Sequence, residues 1–131
     1  MTPKGTIPVL QVRSTLVVTI QVELRDTIAD AFQEDVLQRI AATSAGGLII
    51  DISGLEMVDS YVARVIANTG RMAKLMGTET VLVGMRPEVA ATLVRMGFRM
   101  EGAHTALNLD EGLDLVEDLL RQRRGRERRG Q

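Results

Sequence analysis

LIIDISGLEMVDSYVARVI, residues 48–66, changes its hydrophobic period halfway along and so decides the fold. Its first five residues, LIIDI, are a short apolar run directly after the glycine pair Gly46-Gly47, the pattern of a strand buried on both faces. Its last residues open a helical pattern at Tyr61 or Val62, in which Val62, Val65, Ile66, Met72, Ala73 and Met76 mark one face as far as Gly77. Between them DISGLEMVDS ends in an acid and a hydroxyl side by side. One of the two, Asp59 or Ser60, is the helix N-cap, accepting a hydrogen bond from a first-turn amide.

The flanking sequence extends this strand-loop-helix unit in both directions. IPVLQV and TLVVTIQV are β-rich runs separated by the polar pair Arg13-Ser14, which predicts a tight antiparallel hairpin. From Thr27 the apolar positions Ile28, Ala29, Phe32, Val36, Leu37, Ile40 and Ala41 predict an amphipathic helix, with a capping box at Thr27 and Asp30 and a stop at Gly46-Gly47. TVLVGM, residues 80–85, reads as another buried strand. Arg86-Pro87-Glu88 then opens a helix with proline in its first turn, its inner face formed by Val89, Ala90, Leu93, Val94 and Met96. FRMEGAHTAL, residues 98–107, holds a short strand, and Asn108, Asp110 and Glu111 start a last helix with the buried stripe Leu113, Val116, Leu119 and Leu120. Gly70, inside the second helix, costs about 1 kcal/mol relative to alanine and has no role that the sequence reveals. The order β-β-α-β-α-β-α-β-α predicts an α/β domain: a mixed, mostly parallel sheet with an N-terminal hairpin and about four helices packed against it.

Composition narrows the function. The chain has 131 residues, 45% hydrophobic and 25% charged, which suits one domain with a modest core. There is no cysteine, so thiolate metal sites, disulfides and cysteine nucleophiles are excluded. No signal peptide or membrane span is evident, which predicts a cytoplasmic protein without a membrane partner. Residues 121–131, RQRRGRERRGQ, hold six arginines and one glutamate, a charge of +5, against −6 for residues 1–120. The domain is accordingly assigned to residues 1–120, and 121–131 to a basic, fraying extension of the last helix. Nucleic-acid binding through that tail is disfavoured, because only 2% of residues are aromatic and the body offers no basic face.

Catalytic signatures are missing. No GxGxxG follows a strand and no GxxxxGK[ST] is present, so phosphates of a nucleotide have no recognised cradle and no cofactor is expected. His104, the single histidine, lacks a nucleophile partner in the sequence. Asp51, Glu56 and Asp59 could gather Mg²⁺ at a strand end as a phosphate receiver does, but the early hairpin lacks the acidic pair such a site needs, and no metal is assigned. What the loop does offer is a serine beside unpaired helix amides and the positive end of a dipole. A phosphate on Ser60 would be tolerated there, and its charge of about −1.5 to −2 would alter the surface next to Asp59 and Glu56.

Asp51-Ile52-Ser53-Gly54, then Val58-Asp59-Ser60 and Ala63, then Gly84-Met85-Arg86-Pro87-Glu88-Val89-Ala90, resemble the STAS domain of anti-sigma factor antagonists over roughly residues 7–120. The pattern is similar in particular to the RsbS type of stressosome scaffold. The resemblance implies a non-enzymatic protein whose Ser60 is phosphorylated by an RsbT-type serine kinase, sequestered by the unmodified scaffold and released on phosphorylation. It further implies self-association, co-assembly with RsbR-type STAS paralogues into a large shell, and a phosphatase that reverses the modification. Threonines are the acceptors in RsbR-type proteins, and Thr92 lies near one such position. The chain has no room for an RsbR-type sensor domain, which favours the RsbS type. On this view Asp51, Ser53, Gly54, Leu55, Glu56, Met57, Val58 and Asp59 form the switch loop: Gly54 permits the turn, Asp59 shapes the loop and its charge, and Leu55, Met57 and Val58 contact the partner. A single-partner anti-sigma factor antagonist would use the same serine but stay a monomer or dimer, and a small receiver-like or enzymatic α/β domain would bind Mg²⁺ at Asp51 and Glu56.

Overall fold

The computed structural model describes residues 7–20, 26–97, 99 and 101–130. Among them lie β1 (Val9–Val12), β2 (Thr15–Thr19), α1 (Asp26–Thr43), β3 (Gly47–Asp51), α2 (Ser60–Leu75), β4 (Glu79–Val83), α3 (Pro87–Arg95), β5 (Ala103–Ala106) and α4 (Leu109–Arg128). The strand continuation expected at Gln21 and Val22, the side chain of Thr27 in the expected capping box, and Phe98 and Met100 lie outside the described residues.

The strands stand in one sheet in chain order, β1-β2-β3-β4-β5. β1 and β2 are antiparallel, and each later pair is parallel, as the alternation of strands and helices demands. Val12 pairs with Thr15 across the two-residue turn, where Arg13 takes a φ of 56°, the left-handed backbone that hairpin turns of this length require.

Both faces of the sheet are covered, which is why the central strands read as unbroken apolar runs. On one face Leu16, Val18, Leu48, Ile50 and Leu82 pack against Phe32, Val36 and Ile40 of α1, Val62 and Ile66 of α2, and Val89 and Leu93 of α3. On the other, Val17, Ile49, Val81 and Val83 meet Val116 of α4, flanked by Leu113, Leu119 and Leu120. Helix α4 lies close to the strands because glycines make room for it. A Cβ on Gly47 would stand 2.4 Å from Val116 Cγ1, and one on Gly112 would stand 2.7 Å from Val83 Cγ1.

Several expectations need correction. Gly47 belongs to β3 and serves packing; α1 stops instead at Ser44, whose φ is 54° and whose amide donates to Ile40 O at 2.8 Å. Ala41 is exposed, and the far ends of two helix faces are uncovered: Met72 of α2 with its C-cap Met76, and, after the inner pair Val89 and Leu93, Val94 of α3 with its C-cap Met96. Gly70 lies where α2 passes β5, and a Cβ there would meet Gly102 O at 3.4 Å and Ala103 Cβ at 3.5 Å, ordinary contact distances that leave its choice unexplained. Helix α4 runs on through the basic tail as far as Arg128, and Arg123 Nη1 donates to Gly77 O at 2.6 Å.

Candidate functional site

Parallel strands bring their C-terminal ends to one edge of the sheet, and β3 and β4 deliver their loops there side by side. The β3 loop is tied down residue by residue. Ile52 N donates to Val83 O at 3.0 Å, extending the ladder one residue past β3, and Leu55 N donates to Ile52 O at 2.9 Å, closing a turn. The half-buried Asp51 carboxylate accepts from Ser53 N at 2.9 Å. From the other loop, Arg86 Nε donates to Ser53 O at 2.8 Å.

The left-handed glycine of this site is Gly84, with φ of 74°; Gly54 is not among the positive-φ glycines. A Cβ on Gly84 would lie 2.8 Å from Ser53 Cβ and 3.0 Å from Asp51 Oδ1. The two sequence motifs, DISG and GMRP, are thus in direct contact. Arg86 is the residue that sequence reasoning missed, and its presence in the second motif was the available signal.

At the far end of the loop the N-cap is Asp59, not Ser60. Asp59 Oδ1 accepts from Val62 N at 2.8 Å, and its carbonyl accepts the first intrahelical bond from Ala63 N at 3.0 Å. Ser60 is the first residue of α2 and is exposed. Its neighbour Tyr61 hydrogen-bonds through its hydroxyl to Asp30 on α1, fixing the first turn of α2 against the preceding helix.

Leu55 and Val58, expected to face a partner, point into the core with 1% and 8% exposure. Met57 is the apolar residue that the loop presents, at 73% exposure, with Glu56 and Asp59 exposed beside it. Glu56, Met57 and Val58 form one wall of a groove of about 380 Å³, and Glu88, Ala91, Thr92 and Arg95 of α3 form the other. Thr92 donates to Glu88 O at 2.9 Å and lies half-buried in that wall. Asp51, Glu56 and Asp59 do not converge as a metal site would need: Asp51 and Asp59 direct an oxygen each at a backbone amide, and no trio of ligating side chains is grouped among the described residues. No described helix is long and apolar enough to cross a membrane.

Comparison with known proteins agrees with this geometry. A structure of a serine-to-glutamate variant of RsbS from Moorella thermoacetica matches with a TM-score of 0.78 and 43% identity, covering 88% of this chain and 97% of that one. A chain in a structure of the stressosome, described as a signal integration and transduction hub, matches with a TM-score of 0.73 and 42% identity over 87% of this chain and 99% of its own. The RsbT co-antagonist protein RsbRD of Bacillus subtilis (strain 168) is 38% identical over 80 residues, which is 61% of this chain and 29% of that protein. The chain spans between 28% and 33% of the length of the co-antagonists that it matches. The STAS domain profile matches residues 6–112, and with the five-stranded mixed sheet and its N-terminal hairpin this places the chain in the STAS domain family, where it is similar to the RsbS-type proteins of the stressosome.

Proposed function

We propose that the chain is a non-catalytic scaffold of the stressosome that holds an RsbT-type serine kinase and releases it when Ser60 is phosphorylated. The observation that carries this reading is the position of Ser60: exposed, first in α2, and next to a cap supplied by a different residue. Because Asp59 already caps the helix, the Ser60 hydroxyl is available for modification at no cost to α2. The nearly full-length likeness to RsbS and to a chain of the stressosome supports the scaffold role, and the likeness to RsbT co-antagonists supports RsbT-type kinases as partners.

The electrostatics favour a switch that acts at the surface. A phosphate on Ser60 carries about −1.5 to −2 charges and meets the positive end of the α2 dipole, so the helix accepts it. The same charge joins Asp59 and Glu56 around the exposed Met57, so a partner seated on Met57 meets repulsion and a desolvation penalty. RsbR-type paralogues co-assemble with the scaffold, and a phosphatase restores the starting state.

The test is intact-mass analysis after incubation with the kinase and ATP, comparing wild type with Ser60→Ala and following retention of the kinase on the immobilised scaffold. One phosphate in the wild type, none in the variant, and loss of kinase from the wild type alone are expected. Modification elsewhere, or none with a demonstrably active kinase, returns Ser60 to an ordinary helix residue. Particles far larger than a dimer on mixing with an RsbR-type paralogue are expected of a scaffold. A species that stays monomeric or dimeric identifies a single-partner antagonist.

A further inference from the structure

Six residues of α4 recur at alternating four- and three-residue steps: Asp110, Asp114, Glu117, Arg121, Arg124 and Arg128. All six are exposed. At 3.6 residues per turn they form one stripe, roughly 80–160° around the helix from Val116, the residue that faces the sheet. Along the stripe the order is three acids, then three arginines. The order is also symmetric. Asp110 and Arg128 lie nine residues either side of Leu119, Asp114 and Arg124 five, and Glu117 and Arg121 two.

We propose that this stripe is a self-complementary seam, through which α4 pairs antiparallel with α4 of a second copy of the chain. A two-fold axis at the level of Leu119 sets Asp110 opposite Arg128, Asp114 opposite Arg124 and Glu117 opposite Arg121, each pair occurring twice. The alternating spacing is that of the a and d positions of a heptad, and antiparallel helices place a opposite d, as this register requires. The proposal takes from the scaffold reading only that the chain self-associates, and it is independent of Ser60.

Neither the helix dipole nor a nucleic-acid ligand produces the whole charge order. The dipole favours acids in the first turn and arginines in the last, but its influence ends there, and it leaves Glu117, Arg121 and the mirror register unexplained. A nucleic acid would attract the arginines, yet the acids of the same stripe begin one turn away and repel phosphate. Within the chain, Arg13 reaches Glu117 at 2.7 Å and Arg121 reaches Asp118 at 2.6 Å, but all four side chains are at least half exposed, so both contacts exchange readily for intermolecular ones. Among the described residues, Arg124, Arg126, Arg128 and Arg129 make no salt bridge. The helix continues past its last anchor on the domain, Arg123 on Gly77, which leaves its basic turns free to reach across.

A seam without apolar side chains is weak alone and sensitive to salt, and it gains strength where other contacts already hold copies together. The test is sedimentation velocity of the full chain at about 0.05 M and about 1 M salt, where the screening length falls several-fold. The variants are the all-acid helix (Arg121→Glu, Arg124→Glu, Arg128→Glu) and the all-basic helix (Asp110→Arg, Asp114→Arg, Glu117→Arg). Wild type is expected to associate more strongly at low salt, each variant alone less than wild type, and the equimolar mixture to recover a heterotypic complex. Because the all-basic helix opposes its own dipole, a second measurement uses chains otherwise wild type. As the protein has no cysteine, Asp114→Cys mixed with Arg124→Cys should form a disulfide across the seam, and Asp114→Cys alone should not. Self-association indifferent to salt and to both charge variants, or cross-linking of 114 to 114, overturns the proposal. So does binding of a mixed-sequence DNA duplex that is lost in the all-acid variant while self-association is unchanged.

Discussion

If Asp59 caps α2 and Ser60 merely follows it, the two positions must separate in a stability measurement. Asp59→Ala removes the acceptor of the 2.8 Å bond from Val62 N and leaves a partly buried first-turn amide without its partner. The loss is about 1 kcal/mol, within the usual range for N-caps. An unfolding entropy of about 2.1 cal/mol/K per residue over this length is about 0.28 kcal/mol/K, so the melting temperature should fall by about 3–4 °C. Asp59→Asn keeps an acceptor of the right length and should recover most of the loss, since asparagine caps as well as aspartate. Ser60→Ala removes an exposed hydroxyl from the first helical position and should stay within about 0.5 kcal/mol of wild type. Thermal and urea denaturation followed by circular dichroism measure all three. A Ser60→Ala loss equal to that of Asp59→Ala, or a neutral Asp59→Ala, would refute the assignment of the cap and with it the claim that modification of Ser60 leaves α2 intact.

Two further outcomes follow from the site. Leu55→Ala should lower stability by about 2–5 kcal/mol in urea titration because Leu55 is buried, whereas Met57→Ala should leave stability nearly unchanged and weaken capture of the kinase on an immobilised scaffold. Gly84→Ala forces a Cβ into left-handed backbone 2.8 Å from Ser53, and a loss of about 2–3 kcal/mol is expected, read as a lowered urea midpoint with an unchanged slope.

Much of the fold was legible because burial on both faces gives β3 and β4 an apolar run that no alternating strand shows. The helices were legible too, but their inner faces were drawn too long. Met72, Met76, Val94 and Met96 keep the helical period yet are exposed, and periodicity cannot report what lies opposite a residue. The end of α1 was hidden because a serine, not a glycine, adopts the left-handed stop. That the last helix runs into the tail was legible from its period, but the Arg123 contact with Gly77 was not, because it links positions 46 residues apart. The choice between Asp59 and Ser60 depends on one hydrogen bond from the Val62 amide to a side-chain oxygen, and the clamp from Arg86 to Ser53 spans 33 residues. The sequence narrows the first to two adjacent residues and signals the second only through the presence of Arg86 in the GMRP motif.

The buried positions of the loop also decide how a charge on Ser60 could act. Ile52, Leu55 and Val58 are buried at three-residue steps, and the series continues into α2 with Val62, Val65 and Ile66. The loop is therefore an extension of the core. Moving it means withdrawing side chains whose truncation costs about 2–5 kcal/mol each, whereas a charge at a helix N-terminus is worth typically about 0.3–1 kcal/mol. The anchors win by a wide margin, so a phosphate on Ser60 leaves the loop in place. Its effect is confined to Glu56, Met57, Asp59 and the groove against α3, where a partner detects charge rather than a change of shape. Ser60→Glu should accordingly superimpose on the wild-type fold and melt within a few degrees of it while losing the kinase. A displaced loop in that variant would mean that the switch operates through conformation after all.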